Sequence, residues 1–486
     1  MIGYILPIAL QNFLACGPKA PVVEVIEPPA PLRMNTEKPA PLEAKAFELP
    51  TASVGTLSNG IKLVVSENHE SPLIDVQVVF HAGSWQDKNP VLARATMEML
   101  SEGAGSYDAS QLSAESRKLA ASIQTAASLD GSVVYLSSLA KNIDASVGLL
   151  STVVQKPTFP QKSWTIVQNQ YIQELQAEEQ DPNRIARSVY YALMYNKQYA
   201  GRMTSKEDIQ SITTKDMQKW HSTNIAAQNA TIYVGGDTTL AEIQPIIEKH
   251  FASMKSNKST LPKKPSTDML PESSATTIYL VDRPKASQSV IYAGQFLPER
   301  LDAASEELYL ANLAIGGLFI ARINMNLRED KGWTYGARSS IGYNYLPGLW
   351  TTSTSVVAQY TADAVQEILK EIRESQVDRP ITEDELNAGR GYLLGTEPLK
   401  YESPSYILSQ MITVDRYSLP TEYYSTYNQE LRTVNLEQAQ QAWNTYIDPN
   451  ALRIVVVGDK ATLQGSLLNL GLTIVELDAK ANVISK

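Results

Sequence analysis

Residues 91–103 read Val-Leu-Ala-Arg-Ala-Thr-Met-Glu-Met-Leu-Ser-Glu-Gly, and this stretch predicts a helix over Pro90 to Ser101. Asn89 suits the cap, Pro90 the first helical position, where a backbone N–H would go unused, and Gly103 stands just past the end. Arg94 and Glu98 lie four residues apart, so they share one face and can pair. A metal site on this face would need deprotonated ligands one turn apart. Arg94 cannot supply one, because a guanidinium keeps its proton in a protein, and the Met97 thioether is no general base.

The helix has the frame of a known catalytic motif with the chemistry removed. In inverted zincins, His-x-x-Glu-His puts two imidazoles one turn apart to hold zinc while the glutamate activates water. Here those positions fall on Arg94, Met97 and Glu98. Further out, Leu57, Asn59, Gly60, Leu63 and Val64 form a Leu-x-Asn-Gly-x-x-Leu-Val opening, Ala82-Gly83-Ser84 precedes the helix, and residues 327–335 read Leu-Arg-Glu-Asp-Lys-Gly-Trp-Thr-Tyr. Taken together these segments resemble the pitrilysin/insulinase family of zinc metallopeptidases, from about Val54 to Asp459, as a member lacking His-x-x-Glu-His.

That resemblance implies more than the helix alone. The family's further glutamate ligand falls on Glu174, 174 − 98 = 76 residues beyond Glu98. Two carboxylates brought together without a cation repel, so Arg94 is expected to reach toward the metal position and pair with Glu98 and Glu174. The alternative is a surface Arg94 on a helix that has drifted. In the second half, Arg328 and Tyr335 match the family's Arg and Tyr that hold substrate at the scissile bond. A guanidinium can grip a backbone carbonyl there, and a phenol can donate to a developing oxyanion. Gly316-Gly317-Leu318-Phe319 resembles the family's glycine-containing turn.

The chain repeats itself. Thr231-Ile-Tyr-Val-Gly-Gly-Asp237 returns as Arg453-Ile-Val-Val-Val-Gly-Asp459, an offset of 459 − 237 = 222 residues, and the amphipathic helix Ala145 to Val154 has a counterpart at Ala362 to Ile372. Strands are expected at Ile61–Val65, Ile74–Phe80 and Ser132–Ser138, and helices at Ala109–Leu119, Ile143–Val154 and Trp164–Glu179. Strands and helices mix without strict alternation, which predicts an α+β fold. The resemblance implies two homologous modules, each an antiparallel sheet with helices packed on one face, closing as a clamshell on a peptide. The modules are expected at residues 51–253, where the metal site is degenerate, and 275–486, joined by a Pro-, Lys- and Ser-rich linker at 254–274.

Before the first module the composition changes. Residues 1–16 are mostly apolar and end in Phe-Leu-Ala-Cys, similar to a bacterial lipoprotein signal with acylation at Cys16, the chain's one cysteine. Residues 17–50 hold eight prolines, a composition that favours an extended tether. Periplasmic location, as an outer-membrane lipoprotein touching the membrane through its lipid anchor only, is the expectation. A net charge of −10 argues against nucleic acid as a partner, since phosphate contacts need clustered Lys and Arg.

His69, His81, His221 and His250 are scattered, with no pair at ligand spacing, and no Walker loop, Gly-x-Ser-x-Gly elbow or complete dinucleotide fingerprint is present. In two-chain members of the family that the sequence resembles, one subunit carries the metal and the other lends the Arg and Tyr, so the resemblance implies a non-catalytic subunit of a heterodimeric zinc peptidase. It would supply Arg328 and Tyr335 to the active site of a homologous subunit containing His-x-x-Glu-His, act on a peptide or unfolded polypeptide, and need zinc in the partner only. A catalytically inactive peptide-binding or scaffold protein of the periplasm is the competing reading.

Overall fold

Along Ser132–Leu139 every second side chain is buried, whereas Ala230–Gly236 is buried throughout. The first pattern belongs to a strand with one covered face, the second to a central strand covered on both. A computed structural model describes residues 52–257, 270–271, 275–297, 305–344, 346–420 and 422–485. The signal and Cys16, the tether at 17–50 and most of the linker at 254–274 lie outside the described residues.

The first sheet contains β1 (Ala52–Thr56), β2 (Lys62–Glu67), β3 (Leu73–Phe80), β4 (Ser122–Ala127), β5 (Ser132–Leu139) and β6 (Ala230–Gly236), in the order β1-β2-β6-β3-β5-β4. The second contains β7 (Thr277–Asp282), β8 (Gln288–Phe296), β9 (Thr334–Gly342), β10 (Leu349–Val357), β11 (Arg453–Gly458), β12 (Thr473–Leu477) and β13 (Val483–Ser485), in the order β9-β10-β8-β11-β7-β12-β13. The repeated segments are β6 and β11. Each lies between an antiparallel neighbour, β3 or β8, and a parallel one, β2 or β7. The module is thus present twice, although its sheets are mixed rather than wholly antiparallel: β2–β6, β7–β11 and β7–β12 pair in parallel. Long helical connections separate those strands in the chain, and a parallel neighbour requires such a crossover.

Local signals place the helices. The first, α1 (Leu92–Met99), continues as a tighter turn over Leu100–Glu102, and Asn89 Oδ1 accepts from the Val91 N–H at 2.9 Å ahead of it. The loop before α1 packs so closely on the hairpin between β4 and β5 that a Cβ at Gly83 would collide with the Leu129 backbone. Two long helices hold the same place in the two modules, α2 (Gln161–Glu178) and α5 (Glu383–Lys400), with 383 − 161 = 222. Both modules bury a large apolar core between their helices and one sheet face. Residues 305–330 are long and apolar enough to cross a bilayer by composition, but most of that stretch is buried in the second core.

The opposite face of each sheet is covered by a helix from the other module, so helices lie on both faces rather than one. Helix α3 (Pro182–Met194) buries Ile185, Val189 and Tyr190 with Val290, Val455 and Val457 of the second sheet. Helix α6 (Pro404–Tyr417) returns the contact, seating Leu408 among Val64, Val79 and Tyr233 of the first sheet. Both begin with a proline at the N-terminus, and 404 − 182 = 222. A polar clasp adds to the thinner α6 contact: Lys62 Nζ lies 2.8 Å from Asp415 Oδ2, to which Tyr233 Oη donates at 2.6 Å.

Candidate functional site

Helices α1 and α2 cross so that Arg94 and Glu174 meet: Arg94 Nη2 donates to Glu174 Oε2 at 2.9 Å. Between them stands Tyr171, which shares a face of α2 with Glu174 because the two are three positions apart. The Arg94 guanidinium lies over its ring, 4.3 Å from the centroid, and the Tyr171 hydroxyl donates to Glu98 Oε2 at 2.5 Å. Arg94 therefore pairs with Glu174 but not directly with Glu98, whose partner is Tyr171. Burial raises the phenol's pKa above its ordinary value and the Glu98 carboxylate raises it further, which keeps the hydroxyl proton as a donor. For Arg94, burial opposes the charge, but Tyr171, Glu174 and Glu98 outweigh it and lift the pKa. Pro90, Val91, Leu175 and Thr204 complete a small pocket of about 90 Å³ over the pair.

These residues do not fit zinc. Arg94 offers no lone pair, Met97 is fully buried in the core, and Glu98 is taken by the Tyr171 hydroxyl. Among the described residues, no group of three or more His, Cys, Asp or Glu side chains comes together as a ligand set. The histidines are occupied elsewhere: His69 Nδ1 and Asp237 are 2.8 Å apart, His250 Nε2 and Asp144 2.8 Å, and His221 Nε2 meets the Val154 carbonyl at 2.8 Å. Burial lowers the pKa of His81, with nearby Arg416 adding to the effect, and burial lowers that of His221.

Arg328 and Tyr335 lie in a separate region, and among the described residues no hydrogen bond or ion pair joins them to the Arg94 cluster. Helix α4 (Ser305–Asn312) runs into a π-helical turn over Leu313–Gly317, and a second such turn spans Met325–Asp330. Wide turns of this kind recur at functional sites. At Gly316 the backbone approaches β9 so closely that a Cβ would collide with Ser339. Asn324 ties the segment together, donating to the Phe319 carbonyl at 2.6 Å and accepting from the Ala337 N–H at 2.9 Å. Buried Arg322 anchors it from beneath through a forked pair with Glu385, both bonds 2.6 Å.

On this support the Arg328 guanidinium lies over the Phe319 ring, 4.5 Å from its centroid, and 3.4 Å from Glu329 Oε1. Its Nη1 is buried without a hydrogen-bond partner. Tyr335, at the head of β9, is 93% exposed, and Phe319, Ile320 and Met325 also show large apolar surfaces to solvent. Sequence reading missed Tyr171 and Asn324. Tyr171 was detectable from its helical spacing to Glu174, whereas Asn324 carried no such signal, because both of its partners are backbone groups.

The profile of the insulinase peptidase family, M16, matches residues 62–208, and that of the peptidase M16 inactive domain matches residues 211–393. A Helicobacter pylori protein named non-peptidase homolog YmxG is 22% identical over 411 residues, 82% of this chain and 92% of its own. Among solved structures, a peptidase M16 inactive domain from Pseudomonas fluorescens aligns with a TM-score of 0.76 at 24% identity, covering 84% of this chain and 98% of that one. A protease from Helicobacter pylori aligns with a TM-score of 0.77 at 17% identity, covering 84% and 100%. At such identities the structural likeness speaks for the clamshell fold of two such modules.

Proposed function

Since the chain belongs to the insulinase peptidase family M16 yet carries Arg94 and Met97 where its metal helix needs a histidine and a glutamate, we propose that it is the non-catalytic subunit of a heterodimeric zinc peptidase. It is an M16-like non-peptidase homologue, and its role is to complete a site whose metal resides in a homologous subunit with His-x-x-Glu-His. Arg328 would grip a carbonyl of the peptide or unfolded polypeptide substrate and Tyr335 would donate to the developing oxyanion, while the metal held by the partner would supply the activation of water. One observation carries this reading: the Tyr335 phenol is 93% exposed, an aromatic ring its own chain leaves uncovered while the backbone beneath it is held by Asn324.

Preorganised donors aimed at developing charge are worth roughly 3–4 kcal/mol each when removed from such sites. The experiment is co-purification from the native cell, followed by peptidase assays on each chain alone and on the mixture. Activity confined to the mixture, and sharply lowered by Arg328→Ala or Tyr335→Phe, supports the proposal; a mixture that cleaves equally well with both replaced refutes it. The competing reading, a peptide-binding or scaffold protein, is favoured by the pocket over Arg94 and Glu174, which their pairing leaves open; peptide binding without a catalytic companion would support it. Lipid attachment at Cys16, and with it the periplasmic location, we propose from the sequence alone, and metabolic palmitate labelling of the wild type against Cys16→Ser tests it.

A further inference from the structure

Beside the Arg94 pocket lies a second cleft of about 560 Å³, sharing Pro90, Leu175, Glu178 and Thr204 with it and reaching Ala479 and Lys480 of the other module. The structure assigns to this cleft the carboxylates of an acidic peptide segment, an inference that rests on the peptide-binding part of the function proposed above. Its volume is in the usual range of ligand sites, about 300–1,000 Å³, and its lining is cationic in a chain of net charge −10.

Part of the positive charge is uncompensated, with five cations facing three carboxylates along the lining. Lys88 and Lys480 have no hydrogen-bond or ion-pair partner for their ammonium groups among the described residues, whereas Lys197 donates to the Asn482 side chain at 2.7 Å and acts on the nearby Asp478 carboxylate. Arg202 spends both terminal nitrogens on the Ser84 and Asp87 carbonyls, its Nε is buried without a hydrogen-bond partner, and the Asp87 and Asp208 carboxylates offset its charge. Of the acidic lining, Glu178 pairs with Arg184 and Asp208 caps its own helix through Ser205 at 2.6 Å, while Glu179 stands at the end of α2. Leu175, Ile185 and Met203 supply an apolar wall between the charges. A small inorganic anion would leave that wall bare. A peptide with Asp or Glu side chains, or a free C-terminus, would place carboxylates on the lysines and its aliphatic carbons on the wall, and its adjoining residues would run toward Arg94.

Fluorescence anisotropy on the full chain, with labelled peptides of equal length carrying Glu, Gln or Lys at alternate positions, tests this. The Glu peptide should bind about tenfold more tightly than the Gln peptide at low salt, and lose that margin as exposed charges are screened. The variant Lys88→Gln/Lys197→Gln/Lys480→Gln should erase the preference, and Lys88→Glu/Lys197→Glu/Lys480→Glu should invert it; all three side chains are exposed, and near-UV circular dichroism checks each fold. Equal binding of the three peptides, or a preference surviving the Gln variant, overturns the acidic specificity while leaving the peptide-binding reading intact. Binding of none of them overturns both.

Discussion

Arg94 and Glu174 form an ion pair at 2.9 Å with both side chains about half exposed, at 53% and 51%. Water screens such a pair, and its net worth is about 0–1 kcal/mol. The pair therefore governs the charge of the site rather than the stability of the module. Arg94→Ala should shift the denaturant midpoint by less than about 1 kcal/mol in stability terms, measured by urea unfolding followed by tryptophan fluorescence. A much larger loss would show that the guanidinium holds the two helices together.

The same cluster makes a prediction about metal. Arg94 contributes a cation where a ligand would be needed, so the purified chain should carry no stoichiometric zinc by plasma emission, and EDTA should not change its melting. Chelator-removable zinc at one per chain would refute the assignment of this site as metal-free.

Asp87 gives a pH dependence. Its carboxyl accepts from Trp220 Nε1 at 2.9 Å and feels the charge of Arg202 and the Ala93 backbone N–H, but burial outweighs all three and pushes its pKa from 3.8 up to about 6. Between those values the folded chain keeps a proton that the unfolded chain has released, so stability falls as pH rises through about 4 to 6 and stays lower above, by roughly 2–3 kcal/mol. Asp87→Asn keeps an acceptor for the indole and removes this loss. Its stability relative to wild type should increase between about pH 4 and pH 6 and level off beyond; a difference constant with pH would mean that the carboxyl is not buried as described.

Much of this was legible in the sequence because it depends on short-range spacing. The strands at 73–80 and 132–139 and the helices at 109–118 and 143–155 fall within a residue or two of expectation, since periodicity and caps act within a turn or a pleat. The 222-residue repeat revealed the duplication. The exchange of α3 and α6 between modules was not legible: both helices are amphipathic, and periodicity tells which face is buried but not which sheet buries it. Parallel pairing of β2 with β6 was hidden for the same reason. The meeting of Arg94 with Glu174 was anticipated through a family resemblance. The spacing of Tyr171 to Glu174 was visible, but its diversion of Glu98 from Arg94 was not, because the phenol and the carboxylate it bonds lie on different helices.

The exchanged helices should respond unequally to truncation. Leu408 is fully buried and is the main apolar anchor of α6 on the first sheet, so Leu408→Ala should cost about 2–4 kcal/mol and increase proteolytic nicking of α6. Met411, only partly buried, should tolerate alanine at a fraction of that cost. Equal effects in urea unfolding would place the anchor elsewhere.

Tyr335 offers the sharpest separation of stability from function. With 93% of its surface exposed, it contributes almost nothing to its own module, and Tyr335→Ala should alter unfolding by no more than about 0.5 kcal/mol. Arg328 differs, because its ring contact with Phe319 ties it to the fold; Arg328→Ala should cost about 1 kcal/mol more, the worth of a partly desolvated cation over an aromatic face. If the two act together on a partner's substrate, both variants should depress the activity of the assembled enzyme by about a hundredfold or more in kcat, without following this order of stability. Tyr335→Phe, which keeps the ring and removes only the hydroxyl, isolates the donor: loss of kcat at unchanged KM and unchanged assembly fits oxyanion stabilisation. A failure of Tyr335→Phe chains to co-purify with the partner would instead make the phenol an interface contact.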